Sequence, residues 1–111
     1  MLNVEFPMEL PSVANLREHW SVKARRAKCH RGATYLQLRA RALEHAVPCT
    51  VTLTRIAPRP LDGDNLQSSL KACRDGIADF LKVDDRDPRV TWVYAQEKGQ
   101  PKQQALRVEI A

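Results

Sequence analysis

Hydrophobic positions along the chain recur with two different periods, the two-residue period of a strand and the three-to-four-residue period of a helix. Val4 and Phe6 alternate with polar neighbours and predict a short first strand at residues 3–6. The proline-free stretch 16–46 then predicts one long helix or two abutting ones, with Gly32 as the weak point. The positions that recur at helical intervals there are Trp20, Ala24, Ala27, Thr34, Leu38 and Ala42.

The periodicity is clearest in the second half of the chain. Residues 49–56 are rich in threonine and β-branched side chains and alternate with a period of two, which predicts a strand. Asp64, with Gln67 three residues later, fits a helix-capping box, and the helix that it opens is predicted to end near Lys82. The apolar stripe of this helix consists of Leu66, Leu70, Cys73, Ile77 and Phe80, with Leu81 beside it.

Two further strands are predicted at residues 89–96 and 105–110. A Gly-Gln-Pro segment at 99–101 lies between them, so we expect these strands to pair as an antiparallel hairpin. The resulting order, β-α-β-α-β-β, indicates the α+β class, with two helices packed against a mixed sheet. We expect residues 1–111 to form one small domain, in which the earlier crossovers are long enough for parallel pairing.

Composition narrows the range of functions. Hydrophobic residues make up 43% of the chain and charged residues 28%, as in ordinary globular proteins, and no apolar run approaches the ~20 residues of a membrane helix. The N-terminal segment lacks the blocks of a signal peptide, so we expect a cytoplasmic protein without membrane association. Three widely spaced cysteines fit free, buried thiols in a reducing compartment, and the adjacent Cys29 and His30 lack the partners that a zinc site needs.

Positive charge is concentrated in one segment. The chain has a formal net charge of +5, and residues 16–42 contain eight Lys or Arg against a single acidic residue, Glu18. Residues 46–111 are close to balance. A basic segment beside a neutral remainder is typical of a surface that binds a polyanion, although a solvated helix face is the ordinary alternative. The candidate DNA-binding residues are Arg17, Lys23, Arg25, Arg26, Lys28 and Arg31.

Two pairs of aspartates are the main candidates for chemistry. Asp62 and Asp64 lie where the predicted strand passes into the helix, and Asp84 and Asp85 follow the far end of that helix. If the strand after them runs beside the strand before, three or four carboxylates converge. Carboxylates about 4 Å apart repel by about 4 kcal/mol at an effective dielectric of about 20, so such a cluster needs a cation or shifted protonation. All-oxygen ligands suit Mg²⁺ or Mn²⁺, which can activate water against a phosphodiester.

Each candidate also has a purely structural interpretation. Asp64 can cap the helix, Asp62 can be a turn residue beside Gly63, and the later pair can belong to a solvated turn. A polar stripe formed by Asp64, Ser68, Lys71 and Asp75 lies roughly opposite the apolar stripe. Lys71 on this stripe could hold a scissile phosphate or the leaving oxygen, or it could simply pair with Asp75 at the surface.

At these residues the chain resembles the RusA family of Holliday-junction resolvases. The family carries an Asp-x-Asp-Asn-Leu motif entering a helix, then a lysine, then an Asp-Asp pair before a strand. The matching positions here are residues 62–66, Lys71 and Asp84-Asp85, and the lead-in of Leu10, Pro11, Ser12 and Asn15 is also similar. The family's lysine usually lies four residues after the second aspartate, where this chain has Ser68. Lys71 comes three residues later, which is close to one helical turn and keeps it on the same face.

The resemblance implies a Mg²⁺-dependent endodeoxyribonuclease, encoded by a phage or a bacterial host, that nicks four-way DNA junctions symmetrically during recombination and repair. It implies Asp62, Asp64 and Asp85 as catalytic metal-binding acids, Asp84 beside them, and Lys71 as the catalytic lysine. It also implies a homodimer on branched DNA without a small-molecule cofactor. Two alternatives stay open: a DNA-binding protein on the same scaffold with impaired cleavage, and a module whose basic face binds RNA or an acidic protein.

Overall fold

The computed structural model describes residues 1–12 and 17–111. Its elements follow the predicted order and are β1 (Leu2–Pro7), α1 (Trp20–Arg39), β2 (Cys49–Ala57), α2 (Gly63–Leu81), β3 (Val90–Lys98) and β4 (Ala105–Ile110). The strands form one mixed sheet in the order β1-β4-β2-β3, in which β2 and β3 are parallel and the other neighbours antiparallel. The predicted α+β class, with two helices packed against a mixed sheet, is confirmed.

The predicted hairpin between the last two strands is wrong. β4 lies between β1 and β2, while β3 pairs only with β2 at the edge of the sheet. The reason is burial: Leu106, Val108 and Ile110 of β4 are completely covered, whereas Val90 is the one fully buried residue of β3. A strand with a continuous apolar face gains most in the centre of the sheet, and a polar strand is suited to an edge.

Helix α2 carries the core of the molecule. Every residue of its predicted apolar stripe is buried, and Leu70, Cys73 and Ile77 have no exposed surface. They pack in one cluster with residues from all four strands, among them Leu53 of β2 and Val108 of β4. At roughly 1.5–3 kcal/mol for each large buried side chain, this stripe anchors the helix to the sheet.

Helix α1 departs from the predicted pattern. Among its residues only Thr34 and Leu38 are buried, and Trp20 is 75% exposed although it belongs to the predicted periodic set. The helix continues through Gly32 without a break and ends at Arg39. Leu16, where the sequence predicted the start of the helix, lies outside the described residues.

The two helices cross closely at one point. A Cβ added to Gly76 of α2 would collide with the backbone carbonyl of Arg31 in α1, so only glycine permits this approach. Next to the crossing, the Arg31 guanidinium donates two hydrogen bonds to Asp79, at 2.7 and 2.8 Å. The crossing therefore holds the basic helix against α2, which carries the predicted chemistry.

The three cysteines are free thiols in different environments. Cys49 and Cys73 are buried, whereas Cys29 is exposed on α1. Burial raises the pKa of Cys73 to about 11, and burial also raises the pKa of Cys49. The expectation of free, buried thiols is thus confirmed for Cys49 and Cys73, whereas burial is wrong for Cys29.

Candidate active site

The polar face of α2 forms one part of the candidate site. Ser68, Lys71 and Asp75 line one side of a cleft between the two helices, as their spacing predicted. The Nζ atom of Lys71 donates a hydrogen bond to Oδ1 of Asp75 at 2.7 Å, and the lysine side chain remains 58% exposed. The predicted lysine is thus accessible from solvent and already surrounded by negative charge.

A sharp reversal after α2 brings the second acidic segment to this lysine. Lys82 ends the helix in the left-handed conformation, with φ 58° and ψ 41°, and Val83 donates its N–H back to the Ala78 carbonyl. The following residues run back along the helix, so that Oδ2 of Asp85 lies 3.0 Å from Nζ of Lys71. The sequence predicted both residues as catalytic, and the structure brings these two together.

The contact changes the proton affinity of both groups. Hydrogen bonds to Asp75 and then to Asp85 raise the pKa of Lys71. The hydrogen bond from Lys71 is the largest cause that lowers the pKa of Asp85. Near neutral pH the lysine is therefore a cation and the aspartate an anion, which are the states that phosphate binding and metal binding require.

Sequence reasoning missed Arg74, which holds the Asp85 segment in place. Its Nη2 donates to the backbone carbonyl of Asp85 at 2.6 Å and its Nη1 donates to the Tyr94 hydroxyl at 2.9 Å. The guanidinium also lies over the Trp92 ring, 4.6 Å from the centroid. No sequence pattern near Arg74 indicates its role, because its partners come from a turn 11 residues away and from strand β3.

Asp62 and Asp64 lie at the other end of the same helix. Asp62, rather than Asp64, is the N-cap: its Oδ1 accepts from the backbone N–H of Asn65 at 3.0 Å and its Oδ2 accepts from the Asn65 side chain at 3.1 Å. The predicted capping box at Asp64 is therefore wrong. Asp64 lies exposed in the first turn, where the positive end of the helix dipole favours its charge.

The loop that carries Asp62 is tied down from two sides. The side-chain amide of Gln96 on β3 accepts from the Leu61 N–H at 2.8 Å and donates to the Leu61 carbonyl at 2.6 Å. Arg55 is 7% exposed and donates to the carbonyls of Leu10 and Arg59, at 2.9 and 2.8 Å. These contacts place the first aspartate pair at a defined position beside the sheet edge.

The predicted convergence of three or four carboxylates around one ion is not formed among the described residues. Seven residues, or about 10 Å of helix rise, separate the backbone of Asp64 from that of Lys71. Asp84 uses its Oδ1 to accept from the Arg86 N–H at 2.8 Å. Across residues 1–12 and 17–111, no three His, Cys, Asp or Glu side chains lie close enough to share an ion.

The residues present nevertheless suit Mg²⁺ by the chemistry of their donors. Asp62 and Asp64 offer only oxygen ligands, and the Asp64 side chain is exposed to solvent. Mg²⁺ retains several water ligands and is commonly bound by one or two protein carboxylates together with substrate phosphates. A site that relies on this aspartate pair and on a phosphate is compatible with the observed spacing, and metal binding stays a prediction.

The cleft between the helices has a volume of about 430 Å³ and a basic wall. Lys23, Arg26 and His30 from α1 face Ser68 and Lys71 from α2 across it. Burial, followed by the charge of Arg26, lowers the pKa of His30, so this imidazole is neutral near pH 7. A phosphate in the cleft would meet cations on both sides.

The predicted DNA-binding residues occupy different environments. Arg26 forms a two-pronged ion pair with Glu18, and Arg31 pairs with Asp79. Lys23 lines the cleft, and Arg17, Arg25 and Lys28 are exposed. The basic surface is therefore divided between residues that hold the helix in place and residues whose charge is open to a ligand.

Comparison with known proteins provides no relative: no family model matches the chain, and a search of curated proteins finds no match. The resemblance to RusA resolvases thus depends on the motif residues alone and stays a prediction. Within the described ranges, neither helix has an apolar stretch long enough to cross a lipid bilayer.

Proposed function

We propose that this chain is a Mg²⁺-dependent endodeoxyribonuclease of the RusA type that resolves four-way DNA junctions by paired symmetric nicks. The observation that carries the proposal is the 3.0 Å contact between Lys71 and Asp85. It brings the lysine of the sequence motif and its Asp-Asp pair together in space, next to a basic cleft. A lysine paired only with Asp75 at the surface, or a merely solvated turn after α2, would not require the two segments to meet.

Different residues of α2, and of the segment after Lys82 that carries Asp85, would perform different parts of the reaction. Asp62 and Asp64 would hold Mg²⁺, which supplies a more acidic water and neutralises charge on the attacked phosphate. Lys71 donates to a non-bridging phosphate oxygen or to the leaving oxygen, and its stabilisation of developing negative charge lowers the barrier. Asp85 keeps the lysine charged and oriented before the phosphate arrives.

The basic helix supplies affinity for the DNA backbone. Arg25 and Lys28 are exposed on α1, and neutralising each phosphate contact contributes about 0.9 to the slope of log affinity against log salt. Replacing both with alanine should therefore reduce that slope by about two. Arg89→Ala is the control, because Arg89 already pairs with Asp87 at 2.7 Å.

Two symmetric nicks on a junction require two equivalent sites, which a two-fold homodimer provides. We therefore propose a homodimer on branched DNA, with the nuclease domain spanning residues 1–111, acting in the cytoplasm of a bacterial host.

The deciding experiment is cleavage of a synthetic four-way junction with Mg²⁺. Wild type should nick two opposing strands at symmetric positions, and Asp85→Asn should bind the junction while losing cleavage. Asp87→Asn is a matched control, because Asp87 lies two residues away and contacts Arg89 rather than Lys71. Lys71→Ala should also lose cleavage. Normal cutting by this variant would remove the lysine from the mechanism.

A DNA-binding protein that lacks cleavage is the second candidate. The separation of the aspartate pair from Asp85 favours it, as does the displacement of the lysine from the family position at Ser68. This candidate predicts junction binding without any nicking in Mg²⁺ or Mn²⁺. Preference for RNA over junction DNA in a competition assay would instead exclude both DNA-based functions.

A further inference from the structure

One nitrogen of Arg74 is buried without an acceptor. Its Nη1 and Nη2 atoms are satisfied by Tyr94 and by the Asp85 carbonyl. Its Nε atom has no hydrogen-bond partner within the described part of the chain and no access to solvent. Native proteins seldom leave a buried donor of a charged group unpaired, so this nitrogen requires an explanation.

A carboxylate oxygen close to this nitrogen already accepts a hydrogen bond from another residue. Oδ2 of Asp85 lies 3.9 Å from Nε of Arg74, and the same oxygen lies 3.0 Å from Nζ of Lys71. A movement of about 1 Å would bring this oxygen within normal hydrogen-bond distance of Arg74. One carboxylate oxygen thus lies between two cations and is bonded to one of them.

Arg74 cannot turn its Nε away from this position easily. Two hydrogen bonds and the stacking on Trp92 fix the plane of the guanidinium. Lys71 is different, because its side chain is 58% exposed and held only by the two carboxylates. The arginine is therefore the rigid partner and the lysine the mobile one.

We propose that Arg74 is a positioning residue that receives the Asp85 carboxylate when a phosphate group takes Lys71. This inference rests on the proposed function for its phosphate ligand. In the unbound protein the carboxylates of Asp85 and Asp75 accept hydrogen bonds from Lys71. When a phosphate approaches Lys71, the Asp85 carboxylate and the phosphate repel each other, and the carboxylate moves to the free Nε–H of Arg74. Lys71 is released to the phosphate without leaving Asp85 unpaired.

The first test needs no DNA. In Lys71→Met the lysine partner is absent, so we expect the distance from Asp85 Oδ2 to Arg74 Nε to shorten from 3.9 Å to about 3 Å in a crystal structure. The Arg74 Nε–H resonance in a ¹H–¹⁵N spectrum should move downfield and exchange more slowly. Adding Asp85→Asn should reverse both changes in the resonance.

A purely structural role for Arg74 predicts a different result. In that case the resonance in Lys71→Met stays where it is in wild type and the distance stays near 3.9 Å, which would overturn the proposal. Tyr94→Phe serves as the control, because it removes one hydrogen bond of the guanidinium and leaves Nε unchanged.

The second test concerns cleavage. Arg74→Lys retains the positive charge but lacks the planar guanidinium with its five N–H donors. Groups that orient the ligands of a metal site commonly contribute about 10- to 100-fold to activity, and we expect a similar effect from a group that orients Asp85. We expect that loss in kcat on the junction with less than about a twofold change in KM, while a loss confined to KM would contradict a positioning role. If wild type fails to nick junctions, the proposed function fails, and the spectroscopic test still decides the role of Arg74.

Discussion

The two helices are almost equal in length, 20 and 19 residues, but they are held in different ways. α2 has nine buried residues, whereas α1 has two, both in its C-terminal half. Hydrophobic burial thus fixes α2, while α1 depends on the close crossing at Gly76 and on ion pairs. The comparison shows that the first half of α1 buries no residue, and its exposed cations Lys23, Arg25 and Lys28 are open to a ligand.

The strongest test of this comparison uses one leucine from each helix. Leu70 of α2 is completely buried and Leu36 of α1 is 65% exposed. Leu70→Ala should lower the free energy of unfolding by about 2–5 kcal/mol, because it leaves a cavity in the core. Leu36→Ala should change it by less than about 0.5 kcal/mol. Urea unfolding measures both, and similar losses would mean that α1 is packed as tightly as α2.

The helix crossing can be tested with two glycines. Gly76→Ala places a methyl group against the backbone of α1 and should lower the free energy of unfolding by about 1–3 kcal/mol. Gly32→Ala, inside α1, meets open space and should raise it by up to about 1 kcal/mol through helix propensity. Thermal unfolding followed by circular dichroism compares them. A neutral Gly76→Ala would show that the helices can separate freely.

The two helix ends also differ. Lys82 after α2 is left-handed, whereas the C-cap of α1, Ala40, is right-handed. Lys82→Gly should therefore raise the free energy of unfolding by about 1 kcal/mol, since glycine adopts this conformation without steric cost. Ala40→Gly should lower it by about 0.5–1 kcal/mol. The same sign for both variants, measured by urea unfolding, would contradict this account of the reversal at Lys82.

The ion pair between the helices should give the smallest effect, about 0.2–1 kcal/mol. The hydrogen bond from Arg31 lowers the pKa of Asp79 below its usual value of 3.8. Because the folded-state pKa is the lower one, this stabilisation is present above about pH 4 and is lost as the pH falls through the folded pKa. Arg31→Met should return the Asp79 pKa to its ordinary range in carboxylate NMR titrations. Arg25→Met, at an exposed position of the same helix, should leave it unchanged.

Local pattern predicted most of the fold. The regular stripe from Leu66 to Phe80 is buried as predicted, and so is the face formed by Cys49, Val51 and Leu53 in the predicted strand. The position of β4 could not be read from its neighbours in the chain, because strand order depends on which apolar faces compete for the centre of the sheet. The exposure of α1 was not predicted for a related reason. Small residues at helical spacing are compatible with a buried face, but they also occur on exposed helix faces.

The residues of the candidate site also differ in how far the sequence alone could predict them. Lys71 and Asp85 were named from motif order, and their contact depends on a left-handed Lys82 that sequence alone does not reveal. Arg74 gave no signal, since its role depends on Trp92 and Tyr94 from a neighbouring strand. Residues that act through local spacing were predictable, and residues that act through tertiary neighbours were not.

Because only one of the three cysteines is exposed, the native protein has a single site for selective thiol labelling. A thiol with a pKa of about 11 and no exposed surface, such as that of Cys73, is almost wholly protonated at neutral pH and sealed from reagents. Cys49 is buried as well, and Cys29 is exposed between Lys28 and His30. A maleimide dye should therefore attach to the native protein at Cys29 alone, directly beside the cationic surface. Its fluorescence would then report directly on a polyanion that docks there, without any engineered substitution.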